Sequence, residues 1–341
     1  MKRKAVYLGV AVLLSFFIFL LIYQNFRYDK FTREKFWKDR DYTNQPIYEE
    51  FNRIAVPNYV DRIFKLNNRL GYFNRVQEKI FLFDEDLQNG ILDSMGGKGT
   101  NPNQIGRLEG LFIQDSTIWV LDSHQNNLKI FSEKGELIDL IRISDNFNKG
   151  AVLNKDSLIL VLSSPSKLSM VIYNIETNES NNVEKLDEII KGEYTGMSYE
   201  GNFRSGPNGT VVFAAISVNM FMVFDSSGDI SVVGRTIDNA APPTIIVREE
   251  PNGTSFTYGR DRIFNNVDFQ IRNEFLYILS NITDERHFKQ RTIDVYSTKT
   301  GDYLESFEVG KNSPRWFYMD DSAIYIATSN TSEILILMKN E

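Results

Sequence analysis

Short apolar runs with β-strand character recur along this chain from about residue 51 onwards, and they restrict its fold more than any other feature. Each run has four to six residues, is apolar on both faces and is bounded by Asn, Asp, Ser or Gly. A strand that is apolar on both faces needs a packing partner on each side. No long helical pattern separates the runs, so we expect sheets stacked face to face and not a parallel α/β sheet. The clearest runs are residues 158–162, 211–216, 221–224, 276–279, 324–327 and 334–338.

The runs group into six units of about 48 residues, most of which read as four strands joined by turns. Four-stranded units repeated radially predict an all-β fold, a six-bladed β-propeller over residues 51–341. The last unit contains only three strands, so we expect residues 51–58 to supply the fourth and close the ring, which removes unpaired sheet edges. The units cover residues 59–96, 106–143, 151–186, 202–237, 267–309 and 313–341.

One unit resembles the NHL-type repeat. Its opening segment, residues 97–105, reads GKGTNPNQI, and residues 119–135 follow as the strand pair WVLDSHQNNLKIFSEKG. Ile105 stands where the repeat usually has Phe, and Leu128-Lys129 stands where it has Arg-Ile. This match extends over about 40 residues, and the other units match in shape only. The chain is therefore similar to the six-bladed NHL/TolB-like propellers, which include bacterial families of unassigned function.

The N-terminal residues predict a membrane anchor. Residues 1–4 form a short basic tail, and residues 5–23 are an unbroken apolar run, close to the roughly 20 residues that cross a bilayer core. A cleaved signal peptide would need small residues at its exit site, but bulky and polar residues begin at Gln24, so we expect an uncleaved transmembrane helix. Residues 24–50 follow as a juxtamembrane linker. Within it, residues 29–41 predict either a solvated stalk or a short amphipathic helix on the lipid headgroups.

The basic residues around the anchor support two orientations. More of them follow the apolar run than precede it, which favours a cytoplasmic C-terminal side. A basic tail before an apolar core is, however, typical of an export signal. We expect a single-pass membrane protein whose propeller is extracytoplasmic, in the periplasm or outside the cell. The net charge is −7, and the acidic excess follows the anchor, so nucleic acid, which needs a basic protein face, is not an expected partner.

The amino-acid composition excludes several kinds of functional site. The chain has no cysteine and only two histidines, His124 and His287, which excludes a thiol nucleophile, an iron–sulfur cluster and a zinc site built from Cys and His. We expect His124 to lie in a loop and His287 to face solvent. No catalytic residue, metal or cofactor is predicted.

The first strand of each unit is expected to line the central channel of the ring. The residues that the alignment of the units places there are Arg107, Glu109, Arg204, Asp268, Arg315 and Trp316. One interpretation is that the acids and bases pair with one another around a water-filled channel. A second is that the three arginines form an anion site, because guanidinium groups match carboxylate and phosphate oxygens.

We therefore predict a membrane-anchored, non-catalytic binding or scaffold module that contacts a protein, peptide or glycan on one face of the propeller. The alternative is a Ca²⁺-dependent lactonase or esterase-type hydrolase with its site on the propeller axis, because gluconolactonase-type enzymes share this architecture. Such a site needs Glu, Asn and Asp to converge. Glu109, Asn202 and Asp268 are of the right types, although no spacing motif supports them.

Overall fold

The computed structural model describes Ser15 and most of residues 40–339. The gaps within that range are residues 45, 57–58, 85–89, 207–208, 239, 282–290, 310–313 and 329–331. The predicted transmembrane helix over residues 5–23 lies outside the described residues except for Ser15, and His287 also lies outside them. Among the residues that are described, no helix is both long enough and apolar enough to cross a membrane.

Six four-stranded antiparallel sheets form the blades of a propeller. Blade 1 contains β2 (Arg62–Leu66), β3 (Arg69–Asn74), β4 (Lys79–Phe83) and β5 (Ile91–Gly96). Blade 2 contains β6 (Leu108–Gln114), β7 (Thr117–Asp122), β8 (Asn127–Phe131) and β9 (Leu137–Arg142). Blade 3 contains β10 (Phe147–Asn154), β11 (Ser157–Leu162), β12 (Met170–Asn174) and β13 (Ser180–Asn182). Blade 4 contains β14 (Gly201–Ser205), β15 (Val211–Ala215), β16 (Phe221–Phe224) and β17 (Ile230–Gly234). Blade 5 contains β20 (Asn266–Arg272), β21 (Phe275–Ser280), β22 (Thr292–Ser297) and β23 (Tyr303–Glu308).

Blade 6 closes the ring by combining the two ends of the propeller. It contains β24 (Pro314–Met319), β25 (Ala323–Thr328) and β26 (Glu333–Lys339), and its outermost strand is β1 (Tyr48–Ala55). The β1–β26 pairing is antiparallel and runs from Tyr48 opposite Lys339 to Ala55 opposite Glu333. The six-bladed fold and its closure by an N-terminal strand are both confirmed, and the strand begins at Tyr48 rather than at residue 51.

The hydrophobic core lies between the blades, which explains why so many strands are apolar on both faces. In β15, the side chains of Val211, Phe213 and Ala215 pack in the cluster shared with blades 2 and 3. Val212 and Ala214, which alternate with them, pack against blade 5. Successive side chains of a strand point to opposite faces, so one five-residue strand joins two interfaces.

Two blade-to-blade connections carry additional structure that the sequence patterns did not indicate. The connection from blade 3 to blade 4 contains α1 (Leu186–Ile189) and α2 (Thr195–Ser198), and the next contains a separate hairpin of β18 (Ile245–Glu250) and β19 (Gly253–Tyr258). Each connection runs from an outermost strand to the start of an innermost strand, so both lie at the same end of the ring. We call this end, formed by α1, α2 and the β18–β19 hairpin, the insertion face. The Tyr258 hydroxyl donates to the backbone oxygen of Met197 at 3.1 Å and joins the hairpin to α2.

A segment that precedes β1 is attached to blade 5 through a buried arginine. The Arg40 guanidinium donates to both carboxylate oxygens of Asp294 at 2.8 and 3.0 Å, and to Asp238 at 2.7 Å. The backbone oxygen of Asp41 accepts a hydrogen bond from the backbone N–H of Ser306 at 2.8 Å. We call this contact the Arg40 clamp.

Candidate functional site

Charged side chains form a layer across the central channel, near the starts of the innermost strands. Glu109 on β6 is buried. Its carboxylate lies 2.5 Å from Nε of Arg107 and 2.6 Å from Nζ of Lys149, which reaches it from blade 3. Arg107 is largely exposed, whereas Lys149 is mostly buried. Burial lowers the pKa of Lys149, and the charge of Glu109 partly offsets this effect.

A second ion pair joins blades 4 and 5. Nη2 of Arg204 donates to Oδ1 of Asp268 at 2.6 Å, and Oδ2 of Asp268 accepts the backbone N–H of Phe317 on blade 6 at 3.1 Å. Burial raises the pKa of Asp268, and the positive charge of Arg204 partly offsets this effect. One carboxylate thus connects three consecutive blades.

The remaining predicted channel residues lie elsewhere. Arg315 donates to the hydroxyl of Tyr59, and its guanidinium carbon lies 5.4 Å from the centre of that ring. Trp316 packs against the apolar cluster between blades 1 and 6, and its indole Nε1 has no hydrogen-bond partner among the described residues. The three arginines therefore have three different partners. The interpretation that acids and bases pair around the channel fits two of them, Arg107 with Glu109 and Arg204 with Asp268.

Two members of the charged layer were missed by the sequence analysis. Arg62 begins β2, and Lys149 lies on β10, two residues before the unit that the repeat pattern defined from residue 151. The sequence contains a pattern that could have identified both residues, because a polar residue recurs within the first four positions of each innermost strand from blade 1 to blade 5. The repeat boundaries were not accurate enough to align these positions.

The carboxylates that a Ca²⁺ site would need are already engaged by cations. Glu109 contacts Arg107 and Lys149, and Asp268 contacts Arg204, all at 2.6 Å or less. A hard cation requires free carboxylate and carbonyl oxygens. In the described part of the chain, no group of three or more His, Asp and Glu side chains is placed to hold a metal ion.

Below the charged layer, the innermost strands enclose a cavity of about 360 Å³. Its lining includes the two arginines Arg62 and Arg204 and the polar residues Lys65, Ser205 and Gln270. Five aromatic residues from four blades also border it, Phe64, Phe112, Phe269, Phe317 and Tyr318, and the four phenylalanines among them are buried in the apolar clusters between blades. The volume lies within the range of about 300–1,000 Å³ that is typical of small-molecule sites.

In the unit that resembles the NHL repeat, two buried charged residues hold the opening segment against the strand pair. Asp122 is fully buried and accepts backbone N–H groups from Gly106 at 2.8 Å and Arg107 at 3.0 Å. Lys129, also fully buried, lies 2.9 Å from Asp122 and donates to the backbone oxygen of Gln104. These contacts join the opening segment to the strand pair. His124 is exposed in the turn between β7 and β8, as expected.

Comparison with known proteins supports the fold alone. No protein-family model matches the chain, and no curated protein matches it. A solved structure of a DUF4221 family member from Bacteroides vulgatus is 12% identical and covers 87% of this chain and 98% of its own, with a TM-score of 0.56. A Bacteroides fragilis protein is also 12% identical, covers 89% of this chain and 97% of its own, and has a TM-score of 0.50. Virginiamycin B lyase from Staphylococcus aureus is 12% identical and covers 86% of this chain and all of its own, with a TM-score of 0.48. The chain shares the six-bladed β-propeller architecture.

Proposed function

We propose that this chain is a membrane-anchored, non-catalytic binding module that contacts a protein or peptide partner through one face of its propeller. The observation that favours a binding module over a hydrolase is that the channel carboxylates are already paired with cations. Lys149 and Arg204 contact Glu109 and Asp268 at 2.6 Å. A Ca²⁺-dependent hydrolase would have to displace both cations before it could bind its metal.

We place the partner on the insertion face, because that end of the ring carries extra elements that no blade requires. The hairpin is held at its base by Arg262, whose guanidinium carbon lies 3.5 Å from the Tyr258 ring centre and 4.4 Å from that of Phe264. Arg262 also donates to Glu200 at 2.7 Å. Phe264 and Ile246 remain exposed beside these contacts. Apolar residues on an ordered base are common at the centres of protein interfaces.

The apolar run at residues 5–23 supports the membrane attachment. With the basic tail, residues 1–4, in the cytoplasm, the propeller is extracytoplasmic and its partner is a periplasmic, extracellular or membrane protein. The channel residues Arg107, Glu109, Arg204, Asp268, Arg315 and Trp316 have no role in contacting this partner.

The test is affinity purification of the full chain from solubilised, cross-linked membranes, comparing two double variants. Ile246→Ser with Phe264→Ser alters the insertion face, and Ile138→Ser with Phe51→Ser replaces an Ile and a Phe that are exposed elsewhere on the propeller. We expect a stoichiometric partner to remain with the second variant and to be lost from the first. Equal retention in both variants, or Ca²⁺-dependent hydrolysis of a lactone by the purified chain, would contradict the proposal.

A further inference from the structure

Arg62 is a buried cation whose hydrogen-bonding capacity is largely unused. Its side chain lines the 360 Å³ channel cavity, and 7% of the residue is exposed. Nη2 donates to the backbone oxygen of Glu109 at 3.4 Å, and Nη1 is buried with no partner among the described residues. A buried donor without an acceptor is costly, and a charged one more so.

The neighbouring carboxylates do not supply the missing partner. Three of them attract Arg62, but each is paired with another cation. These pairs are Asp61 with Arg75 at 3.0 Å, Glu109 with Lys149 at 2.6 Å and Asp268 with Arg204 at 2.6 Å. Arg62 is therefore the cation of this layer that has no carboxylate partner among the described residues. Burial, followed by repulsion from Arg204, lowers its pKa to about 10, so it remains charged at neutral pH.

Arg204 lines the same cavity and brings a second guanidinium to it. One of its terminal nitrogens is engaged by Asp268, and the other donates to the backbone oxygen of Phe203 at 3.3 Å. Beyond the two arginines, the lining combines apolar residues with the polar residues Lys65, Ser205 and Gln270. A ligand that matches this lining has an oxyanion for the guanidinium groups and a small body with both polar and apolar surface.

We propose that the channel cavity is a binding site for a small organic oxyanion, a carboxylate or phosphate ester, which the Arg62 guanidinium contacts directly. Two parallel N–H···O bonds to an oxyanion would satisfy the unpaired nitrogen and compensate the positive charge of Arg62. This site is separate from the insertion face, and it does not depend on a protein partner there.

The test uses the full chain in detergent micelles and titration calorimetry with benzoate, phenyl phosphate and the uncharged analogue benzamide. We expect saturable binding of at least one of the two anions and none of benzamide. Arg62→Gln should weaken that binding roughly tenfold or more, because a charge-assisted hydrogen bond is lost. Arg248→Gln removes an exposed arginine from the hairpin and should leave the affinity unchanged.

Thermal unfolding without ligand separates a binding role from a structural one. If Arg62 serves a ligand, Arg62→Gln should melt at or above the wild-type temperature, because it removes an uncompensated buried charge. Arg62→Lys keeps the positive charge but loses the planar guanidinium, which can donate two parallel hydrogen bonds. This variant should therefore bind the anion more weakly than wild type. Failure of both anions to bind, unchanged affinity in the two Arg62 variants, or a lower melting temperature with unchanged affinity would each overturn the proposal.

Discussion

At the scale of single residues, the strongest charge interactions of this propeller join positions that are far apart in the chain. Arg40 contacts Asp238 and Asp294, which lie 198 and 254 residues further along. All three side chains are almost completely buried. Burial, and then the charge of Asp294, raises the pKa of Asp238 in spite of Arg40. The clamp is therefore held by one cation that faces two buried acids.

We expect Arg40→Met to lower the free energy of unfolding by about 3–5 kcal/mol, because it leaves the two buried carboxylates without a cation. The loss should be smaller at acidic pH, where protonation of Asp238 removes one of the negative charges. Urea unfolding of wild type and variant at acidic and neutral pH measures both effects. Arg53→Met is the control, since Arg53 pairs with Glu50 at the exposed surface and should change little. A midpoint equal to wild type would show that the clamp adds no stability.

Glu78 gives a pH-dependent contribution at the interface of blades 1 and 2. Burial raises its pKa to about 7, although the backbone N–H of Leu108 opposes the shift. The folded-state pKa lies above the unfolded value of 4.5. Protonation of Glu78 therefore favours the folded state, fully below pH 4.5 and progressively less as the pH rises to about 7.

We expect Glu78→Gln to remove this dependence. The stability of wild type minus that of the variant should fall as the pH rises from about 5 to about 8. Chemical unfolding of both proteins across this range measures the difference, and other titrating groups cancel from it. A difference that rises with pH would show that the Glu78 carboxylate is favoured in its charged form.

At the scale of the secondary-structure elements, β1 determines whether the ring has an unpaired edge. Blade 6 supplies three strands from the C-terminal end, and β1 pairs with β26 from the N-terminal end. A chain without β1 would expose the ladder groups of β26, which are a template for aggregation. It would also lose Ile54, a buried member of the apolar cluster between blades 1 and 6.

We expect a chain that starts at residue 60 to melt well below one that starts at residue 45, and to aggregate more readily. Both chains lack Arg40, so the difference between their melting temperatures measures the contribution of β1 and of the residues between β1 and β2. Thermal unfolding followed by circular dichroism measures the two midpoints. Equal midpoints would show that the ring is stable without the strand.

Two substitutions within β1 separate burial from pairing. Ile54→Ala should lower stability by about 2–5 kcal/mol, as other large-to-small changes in cores do. Phe51 lies on the same strand but is 70% exposed, so Phe51→Ala should have little effect. Similar losses in both variants would indicate that β1 contributes through its backbone and not through the interblade core.

At the scale of the whole molecule, residues 5–23 would attach the propeller to a membrane. The Arg40 clamp would then hold the chain between the membrane and β1 against blade 5. We expect the mature protein to keep residues 1–23 and to remain in the membrane fraction after a carbonate wash. Membrane fractionation and N-terminal sequencing test this directly. A mature N-terminus near residue 25 would show that the apolar run is a cleaved signal.

Local pattern determined the architecture of this protein. Alternation in a strand such as β15 places one set of side chains on each of two neighbouring blades, so an apolar run such as VVFAA already implies sheets on both sides. The six repeats gave the blade number, and the missing strand of the last unit gave the closure. The strand pattern of each unit depends on residues that are close in sequence, so the blade number and the missing strand can be read from the chain, although the closing pair itself joins Tyr48 to Lys339.

The channel could be predicted only in part. The first strand of each unit was expected to line it, which identified Arg204, Glu109 and Asp268, but Arg62 and Lys149 were missed. Which cation contacts which carboxylate depends on the exact rotation and height of five separate strands. A shift of one residue turns a side chain from one face of a strand to the other. It takes the folded chain to show that Nη1 of Arg62 has no partner among the described residues, and that Arg40 lies between two acids that are 198 and 254 residues away.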